Sequence, residues 1–427
     1  MARLRERLSS DVFLIWAVIL LGLVLYAGSL GHPLVGDDRA FVLDQPFTQD
    51  CASLLKLVDP RNYLARVLPV SGAARPVWLG SVVVDSCLFG DAAPGYHLSS
   101  LLWHLFASAL LMALAWALCR DDWTTLLAGV LFVANPLHTE NVNIVTFRTD
   151  ILALAFMTLS FALYLLRRSR SGWRRQALLG LSLACYGLAV LAKEMAVTLP
   201  LLVVLADWLF PEPGKRKAAA PRARGRGRWR WGAAAAFALV LLGYLAFRMP
   251  RAGNVEPGRQ DLFTRPGVVV PWQEVYESPK VRLLTMTRIM GENLGRLLWP
   301  QPLQGDYSPR PARSWREPGP VLAALAWLAL AALAWSLRRR LPMAAFGLLW
   351  MPVTLLPVSG LWLLHNLQAD RYLYIPSAGA ALAAAAALSG LARRGAPGWR
   401  LAASGLAAAL AVSFALMTAV RNLDYRD

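Results

Sequence analysis

Long apolar runs occupy most of the chain, and short polar segments separate them. A helix needs about 20 mainly apolar residues to cross a bilayer, and twelve runs meet or approach that length. The runs are Val12–Leu30, His97–Leu118, Trp123–Asn135, Ile151–Leu166, Gln176–Ala192, Met195–Phe210, Gly232–Phe247, Val281–Trp299, Gly319–Leu337, Met343–Leu361, Tyr372–Leu391 and Trp399–Val420. This pattern predicts an all-α polytopic membrane protein.

Composition agrees with that class. Of the 427 residues, 57% are hydrophobic and 16% are charged, which excludes a water-soluble globule. The net charge of +18 could indicate a nucleic-acid partner, but the basic residues cluster between the apolar runs. The clusters are Arg3/Arg5/Arg7, 167–175, 215–230, 338–340 and Arg393/Arg394/Arg400. Such clusters are typical of cytoplasmic loops, so we expect no nucleic-acid partner.

These clusters also predict a topology. With the N-terminus in the cytoplasm, seven spans place the segments 167–175 and 215–230 inside, as their charge requires. Counting Val281–Trp299 as an eighth span would place Arg338 to Arg340 outside. We therefore expect this run to be re-entrant or interfacial, which leaves about eleven spans and an external C-terminus. The whole chain, 1–427, is then one membrane domain.

Few segments lie outside the apolar runs. Residues 32–95 form the longest predicted external loop, and within it Arg75 to Phe89 is apolar enough for a helix on the membrane surface. Residues 249–318 form a second external region that contains the re-entrant segment. Cys51 and Cys87 share the first loop and could pair, although two cysteines alone carry little information.

In this topology, isolated acids, histidines and bases collect at the external ends of the spans. An ionisable residue at membrane depth is by default a candidate functional residue. Asp37 and Asp38 follow the first span, although with Gly36 they could equally form a solvated turn. Lys193 and Glu194 occupy a tight turn between two apolar runs, where an ion pair capping two helices is the alternative. The others are Arg75, His97, His138, Glu140, Arg148, Asp150, Asp370 and Arg371.

A mixed set of cations and carboxylates on one face suits transfer from a lipid-linked phosphate. Arginine and lysine neutralise a phosphate leaving group, while a carboxylate accepts the proton of an attacking hydroxyl. His138 and Glu140 would allow a divalent metal ion, but their i, i+2 spacing lacks the further ligands that a zinc site needs. We therefore assign no metal site and no cofactor.

Several short motifs resemble one enzyme family. Asn135 to Val142 (NPLHTENV), followed by Arg148-Thr149-Asp150, is similar to a signature of the transmembrane O-mannosyltransferases that carry tetratricopeptide repeats, the TMTC proteins. These are glycosyltransferases of the GT-C fold. The other matching pieces are Gly36-Asp37-Asp38, Arg75-Pro76, His97-Leu98 with His104, Ala192-Lys193-Glu194, Thr198-Leu199-Pro200, Asp306-Tyr307-Ser308, Asp370 to Pro376 and Arg421 to Asp424.

The resemblance implies a GT-C bundle and a glycosyltransferase that moves mannose from a polyprenyl phosphate to a protein Ser/Thr hydroxyl, with inversion. It implies that Asp37 or Asp38 is the general base, Asp37 being the first choice. Arg148, Lys193 and Arg371 would hold the donor phosphate. The supporting residues would be Arg75, His97, His138, Glu140, Asp150, Glu194 and Tyr372. The partners would be the lipid donor, membrane lipids and a protein acceptor, with the site facing the periplasm from a bacterial inner membrane.

The chain departs from the family pattern at Asn135, Ala196 and Asp370, where His, Gly and Glu are usual. It also stops at Asp427, where family members continue into tetratricopeptide repeats, so the acceptor could be a different protein or not a protein at all. Two other functions remain open at this point. One is a transporter or flippase of lipid-linked sugar, which would place charges along a path through the bilayer. The other is a non-catalytic membrane scaffold.

The predicted topology places position 310 outside the cytoplasm. A single cysteine introduced there in a cysteine-free background should react with an impermeant maleimide added from the outside. Labelling only after the cytoplasmic face is opened would show that Val281–Trp299 crosses the membrane and would reverse the predicted orientation of every later segment.

Overall fold

A computed structural model describes residues 2–58, 75–211, 226–252, 273–361, 364, 366–394 and 396–426. Its regular structure within these ranges is entirely helical, which confirms the predicted fold class. The α-helices of the first half are α1 (Ala2–Tyr26), α2 (Ser53–Val58), α3 (Pro76–Phe89), α4 (Ala93–Cys119), α5 (Asp122–Val133), α6 (Thr139–Asn143), α7 (Arg148–Leu166), α8 (Gly172–Ala192) and α9 (Leu199–Leu209). Those of the second half are α10 (Arg226–Ala252), α11 (Gln273–Glu277), α12 (Pro279–Leu298), α13 (Pro318–Leu337), α14 (Pro342–Leu355), α15 (Tyr374–Ala392) and α16 (Pro397–Asn422).

Within the described residues, seven helical stretches are long and apolar enough to cross a bilayer. They are Phe13–Gly31, Ala93–Cys119, Val145–Ser169, Gly172–Ala192, Pro318–Leu337, Asp370–Ala392 and Pro397–Tyr425. The molecule is therefore an integral membrane protein. Four other predicted spans coincide with helices shorter than 18 residues: α5, α9, α14 and the apolar part of α10. The total of eleven crossings and their orientation stay predictions.

Helix α12 differs from the candidate spans. One face buries apolar residues such as Ile289, Met290 and Leu294. The opposite stripe carries Arg288 and Arg296, each within 4.0 Å of Glu292. Because charged residues repeat along one side of the helix, its composition agrees with the predicted interfacial or re-entrant placement, which itself stays a prediction.

The bundle has two tightly packed groups, α7 with α4 and α8, and α14 with α15. Small residues bring α14 and α15 together at Gly347 and Gly379. A Cβ atom added to Gly347 would lie 2.4 Å from the backbone oxygen of Gly379, so only glycine fits there. This small-residue contact is typical of membrane helices, where close backbone approach replaces the hydrophobic effect as the source of association.

Helix α7 shows how charge is sorted between the two ends of the bundle. Its first turn carries Arg148 and Asp150, and its last turn is followed by the 3₁₀ turn Arg167–Ser169. Nineteen helical residues separate these ends by roughly 28 Å. The basic cluster 167–175 therefore begins at the end opposite Arg148 and Asp150, and there Arg168 pairs with Asp207.

The first predicted loop is covalently linked. Cys51 before α2 and Cys87 on α3 form a disulfide, with their Cα atoms 5.7 Å apart. Helix α3 does not lie isolated on a surface, because Trp78, Leu79 and Val82 are buried against neighbouring helices. The sequence left the pairing open, and the structure makes it.

Candidate active site

Four connecting segments meet at one end of the bundle. They are residues 32–44 after α1, the stretch 136–147 between α5 and α7, the 3₁₀ turn Glu194–Thr198 and the 3₁₀ turn Asp370–Leu373. Each contains or adjoins the end of a candidate span, so charged side chains on these segments lie at the rim of the bundle. The sequence placed most of its candidate residues on these same segments.

Three ion pairs between distant parts of the chain form the centre of the site. Arg75 Nη2 lies 2.7 Å from Glu194 Oε1, and Arg371 Nη1 lies 2.7 Å from Glu140 Oε1. The third pair joins Lys193 Nζ to Asp150 Oδ2. Lys193 and Glu194 therefore do not cap two helices as a mutual pair, because each has a different partner.

The three cations retain hydrogen-bond donors. Glu194 accepts from Nε and Nη2 of Arg75, and no other residue in the described part of the chain accepts from its Nη1. Glu140 accepts from Nη1 of Arg371, and within the described ranges no acceptor faces its Nε or Nη2. Arg75 and Arg371 are also partly exposed, at 25% and 12% of their side-chain area. A cation that is neutralised but not saturated can still bind an anion.

Arg371 has the most fixed position of the three. Its backbone N–H donates to Glu140 Oε2 at 2.7 Å, so Glu140 binds both its main chain and its guanidinium. The guanidinium carbon lies 4.1 Å from the centre of the Phe147 ring. This stacking and the two bonds fix its orientation. On the other side of the turn, the Tyr372 ring lies 5.6 Å from Lys193 Nζ, which brings the Arg371 and Lys193 pairs together.

The two adjacent aspartates have different environments. Asp38 is buried, and its carboxylate accepts from the backbone of Val145 and Thr146 at 2.8 and 2.7 Å and from Thr146 Oγ1 at 2.7 Å. Asp37 is exposed. Gly36 permits this arrangement, since its φ of +57° turns the chain immediately before the pair. The pair can therefore form a turn and also supply a functional acid, because Asp38 anchors the turn and Asp37 is exposed.

Asp38 connects this turn to the cationic cluster. The segment that it binds, Val145–Thr146, continues into Phe147, on which Arg371 stacks. The segment that carries Asp37 is therefore linked to Arg371 through Asp38, Thr146 and Phe147. A carboxylate and a set of cations at the same end of the bundle could act on opposite ends of one reacting bond.

Burial and charge also set the acidity of these groups. Burial raises the pKa of the Asp38 carboxyl to about 6, and the bonds from Thr146 and Val145 oppose a larger rise. Burial likewise raises the pKa of Glu140 against the influence of Arg371. At Glu194, burial would raise the pKa, but Arg75, Arg248 and Lys193 outweigh it and lower the pKa.

Arg148, expected at the donor phosphate, is bound by protein groups only. Its side chain is fully buried and binds Ser100 Oγ at 2.9 Å, Asp85 Oδ2 at 2.5 Å and the carbonyl of Tyr96 at 2.7 Å. All three guanidinium nitrogens have protein partners, so this arginine joins α3, α4 and α7. Its partner Asp85 was not singled out from the sequence, because a single acid in a short apolar helix has no distinguishing neighbour.

The two histidines expected in the site, His97 and His138, also lie outside the cluster of ion pairs. His138 is buried in the bundle, where its Nε2 lies 2.7 Å from Ser377 Oγ and its ring packs against Phe132 and Tyr374. His97 is buried with its ring centre 6.4 Å from that of His32. Among the described residues, no group of three or more His, Cys, Asp or Glu is arranged to hold a metal ion.

Comparison with known proteins finds similarity to protein O-mannosyltransferases. The family model for dolichyl-phosphate-mannose-protein mannosyltransferases matches residues 66–252, which include Arg75, Glu140, Asp150, Lys193 and Glu194. The chain is 33% identical over 222 residues to protein O-mannosyl-transferase Tmtc2 of Drosophila melanogaster. It is 30% identical over 185 residues to the TMTC2 protein of Mus musculus. The resemblance read from the motifs is confirmed.

These matches cover 48% and 42% of this chain but only 23% and 22% of the two relatives, so the chain spans less than a quarter of their length. Among solved structures, the archaeal oligosaccharyltransferase AglB from Archaeoglobus fulgidus aligns with 96% of this chain and 56% of its own. The TM-score is 0.54 at 12% identity, which indicates a shared fold. That structure contains an inhibitory peptide and a dolichol phosphate.

The two aspartates should differ in their effect on stability. The folded protein binds a proton at Asp38 up to a pH of about 6, whereas an unfolded aspartate loses it near 3.8. The folded state therefore holds more protons in this window, and stability falls as the pH rises from about 4 to about 6. In melting curves, the stability of wild type relative to Asp38→Asn should decrease over this range.

Asp37→Asn is the matched control, because this neighbouring carboxylate is exposed. Its melting temperature should follow that of the wild type at each pH, since exposed substitutions usually change stability by no more than about 0.5 kcal/mol. If the advantage of wild type over Asp38→Asn grew with pH, the pKa of Asp38 would be lowered by folding, contrary to this assignment.

Proposed function

We propose that this protein is an inverting glycosyltransferase that moves mannose from a polyprenyl phosphate to a Ser or Thr hydroxyl of a protein. The observation that carries the proposal is the cluster of three cations, each paired with a carboxylate and two of them partly exposed, at the same end of the bundle as the exposed Asp37. The similarity to protein O-mannosyltransferases supports the choice of sugar, donor and acceptor.

In this reaction, Asp37 accepts the proton of the acceptor hydroxyl as its oxygen attacks the anomeric carbon. The bond from that carbon to the phosphate oxygen breaks, and polyprenyl phosphate leaves with the electron pair. Attack from the face opposite the leaving group inverts the anomeric configuration. Arg75, Lys193 and Arg371 stabilise the negative charge that develops on the departing phosphate.

In this proposal the other residues have different roles. Glu194, Asp150 and Glu140 hold the three cations in place and keep each one charged despite burial. Asp38 and Arg148 support the scaffold, because their polar atoms are occupied by protein groups. Arg75 thus replaces Arg148 in the set of phosphate ligands.

We place the site on the extracytoplasmic side of a bacterial inner membrane. Two features support this orientation. Arginine clusters are typical of cytoplasmic loops, so the end of the bundle opposite the site is expected to face the cytoplasm. The Cys51–Cys87 disulfide lies in the loop that carries Asp37, and such bonds persist in oxidising compartments. In this orientation a lipid donor in the outer leaflet reaches the cluster with its phosphate at the rim.

Transfer by purified protein tests the proposal. The protein in nanodiscs is supplied with polyprenyl-phosphate mannose and a mixture of Ser/Thr peptides, and mannosylated product is measured by mass spectrometry. Asp37→Asn should lower kcat by about 10²- to 10⁴-fold, the usual contribution of a general base. Arg371→Ala should instead raise KM for the donor, because binding of the phosphate weakens.

Asp44→Asn is the control for Asp37, since Asp44 is an exposed carboxylate of the same loop with 64% of its side chain accessible. It should transfer mannose at the wild-type rate. Full transfer by Asp37→Asn would overturn the assigned base. Donor consumption that does not depend on any acceptor would identify a hydrolase, and movement of intact donor across the bilayer would identify a flippase.

A further inference from the structure

We infer that Tyr307 and Asp370 are positioning residues for Arg371, and that they connect the segment 299–317 to the donor site. The inference rests on the proposed function, because it concerns the phosphate ligand Arg371. It extends that function to residues outside the three ion pairs.

Asp370 is an anchoring point next to Arg371 in the chain. Its Oδ1 accepts from the Tyr307 hydroxyl at 2.5 Å, and its Oδ2 accepts from the backbone of Gln304 at 3.1 Å. Arg421 Nη2, at the end of α16, lies 3.5 Å from the same Oδ2. The carboxylate is buried, with 3% of the side chain exposed. A buried carboxylate is strongly held by its donors, since losing one leaves an unpaired charge.

The turn that contains Arg371 is consequently fixed on two sides. Glu140 binds the backbone and guanidinium of Arg371 from one side. Tyr307, Gln304 and Arg421 hold Asp370 from the other. The turn Asp370–Leu373 is a 3₁₀ helix, in which successive side chains point about 120° apart. Fixing the direction of Asp370 therefore fixes the direction of Arg371.

Tyr307 is the connection that can be changed most cleanly. It lies between α12 and α13, in a stretch that has no regular helix from 300 to 314. The guanidinium carbon of Arg296 lies 4.5 Å from the centre of the Tyr307 ring. The Tyr307 hydroxyl also accepts a hydrogen bond from the backbone N–H of Gln304 at 3.1 Å. The ring is thus held by packing and the hydroxyl by hydrogen bonds, so removing one oxygen takes away one of the three donors to Asp370 without removing the ring.

Binding of polyprenyl phosphate tests the inference without requiring catalysis. Its affinity is measured by native mass spectrometry for wild type, Tyr307→Phe, Arg371→Ala and the double variant. Tyr307→Phe should weaken binding about tenfold, the effect expected from losing one hydrogen bond to a charged group. In the Arg371→Ala background it should have no further effect, because the two residues act through the same contact.

Arg313→Ala is the control within the same segment, because it breaks an exposed pair with Glu274 and leaves Asp370 untouched. It should bind as the wild type does. Wild-type affinity in Tyr307→Phe, or a tenfold loss that persists in the Arg371→Ala background, would overturn the inference alone. Absence of binding by the wild-type protein would overturn the proposed function and the inference with it.

Discussion

The structure of the site depends on the cost of burying charge in a membrane protein. Lys193 is almost completely buried and can remain charged only because Asp150 lies beside it. The same constraint joins Arg371 to Glu140 and Arg148 to Asp85. Each pair links segments far apart in the chain, so neutralising the charges also brings the loops of one end together. The fold at this end and the chemistry of the site have one cause.

The buried pairs nevertheless have different capacities for function. Arg148 uses all its nitrogens on protein partners and has no exposed area, so it stabilises the packing of three helices. Arg371 makes only part of its possible bonds and stays partly exposed. An arginine of the first kind holds the scaffold together, whereas one of the second kind can bind a ligand. The same distinction separates Asp38, which is saturated, from the exposed Asp37.

The sequence predicted the class of fold and the end of the bundle where the chemistry lies, because isolated charges are conspicuous among apolar residues. It could not predict which charges would pair. Lys193 and Glu194 are adjacent yet bind Asp150 and Arg75, and His138 points into the bundle instead of the site. The direction of each helix and its tertiary packing decide which charges pair, and no short sequence motif encodes either of them. Short helices such as α5 also prevented a firm count of spans from apolar length alone.

We propose that Arg75, Lys193 and Arg371 form the binding site for a lipid phosphate. A cryo-electron microscopy structure of the protein in nanodiscs with polyprenyl phosphate would test this assignment. We expect phosphate density about 3 Å from nitrogen atoms of these three residues, at the end of the bundle that carries Asp37. Phosphate density beside the arginine clusters at the opposite end, with the three ion pairs unoccupied, would contradict it.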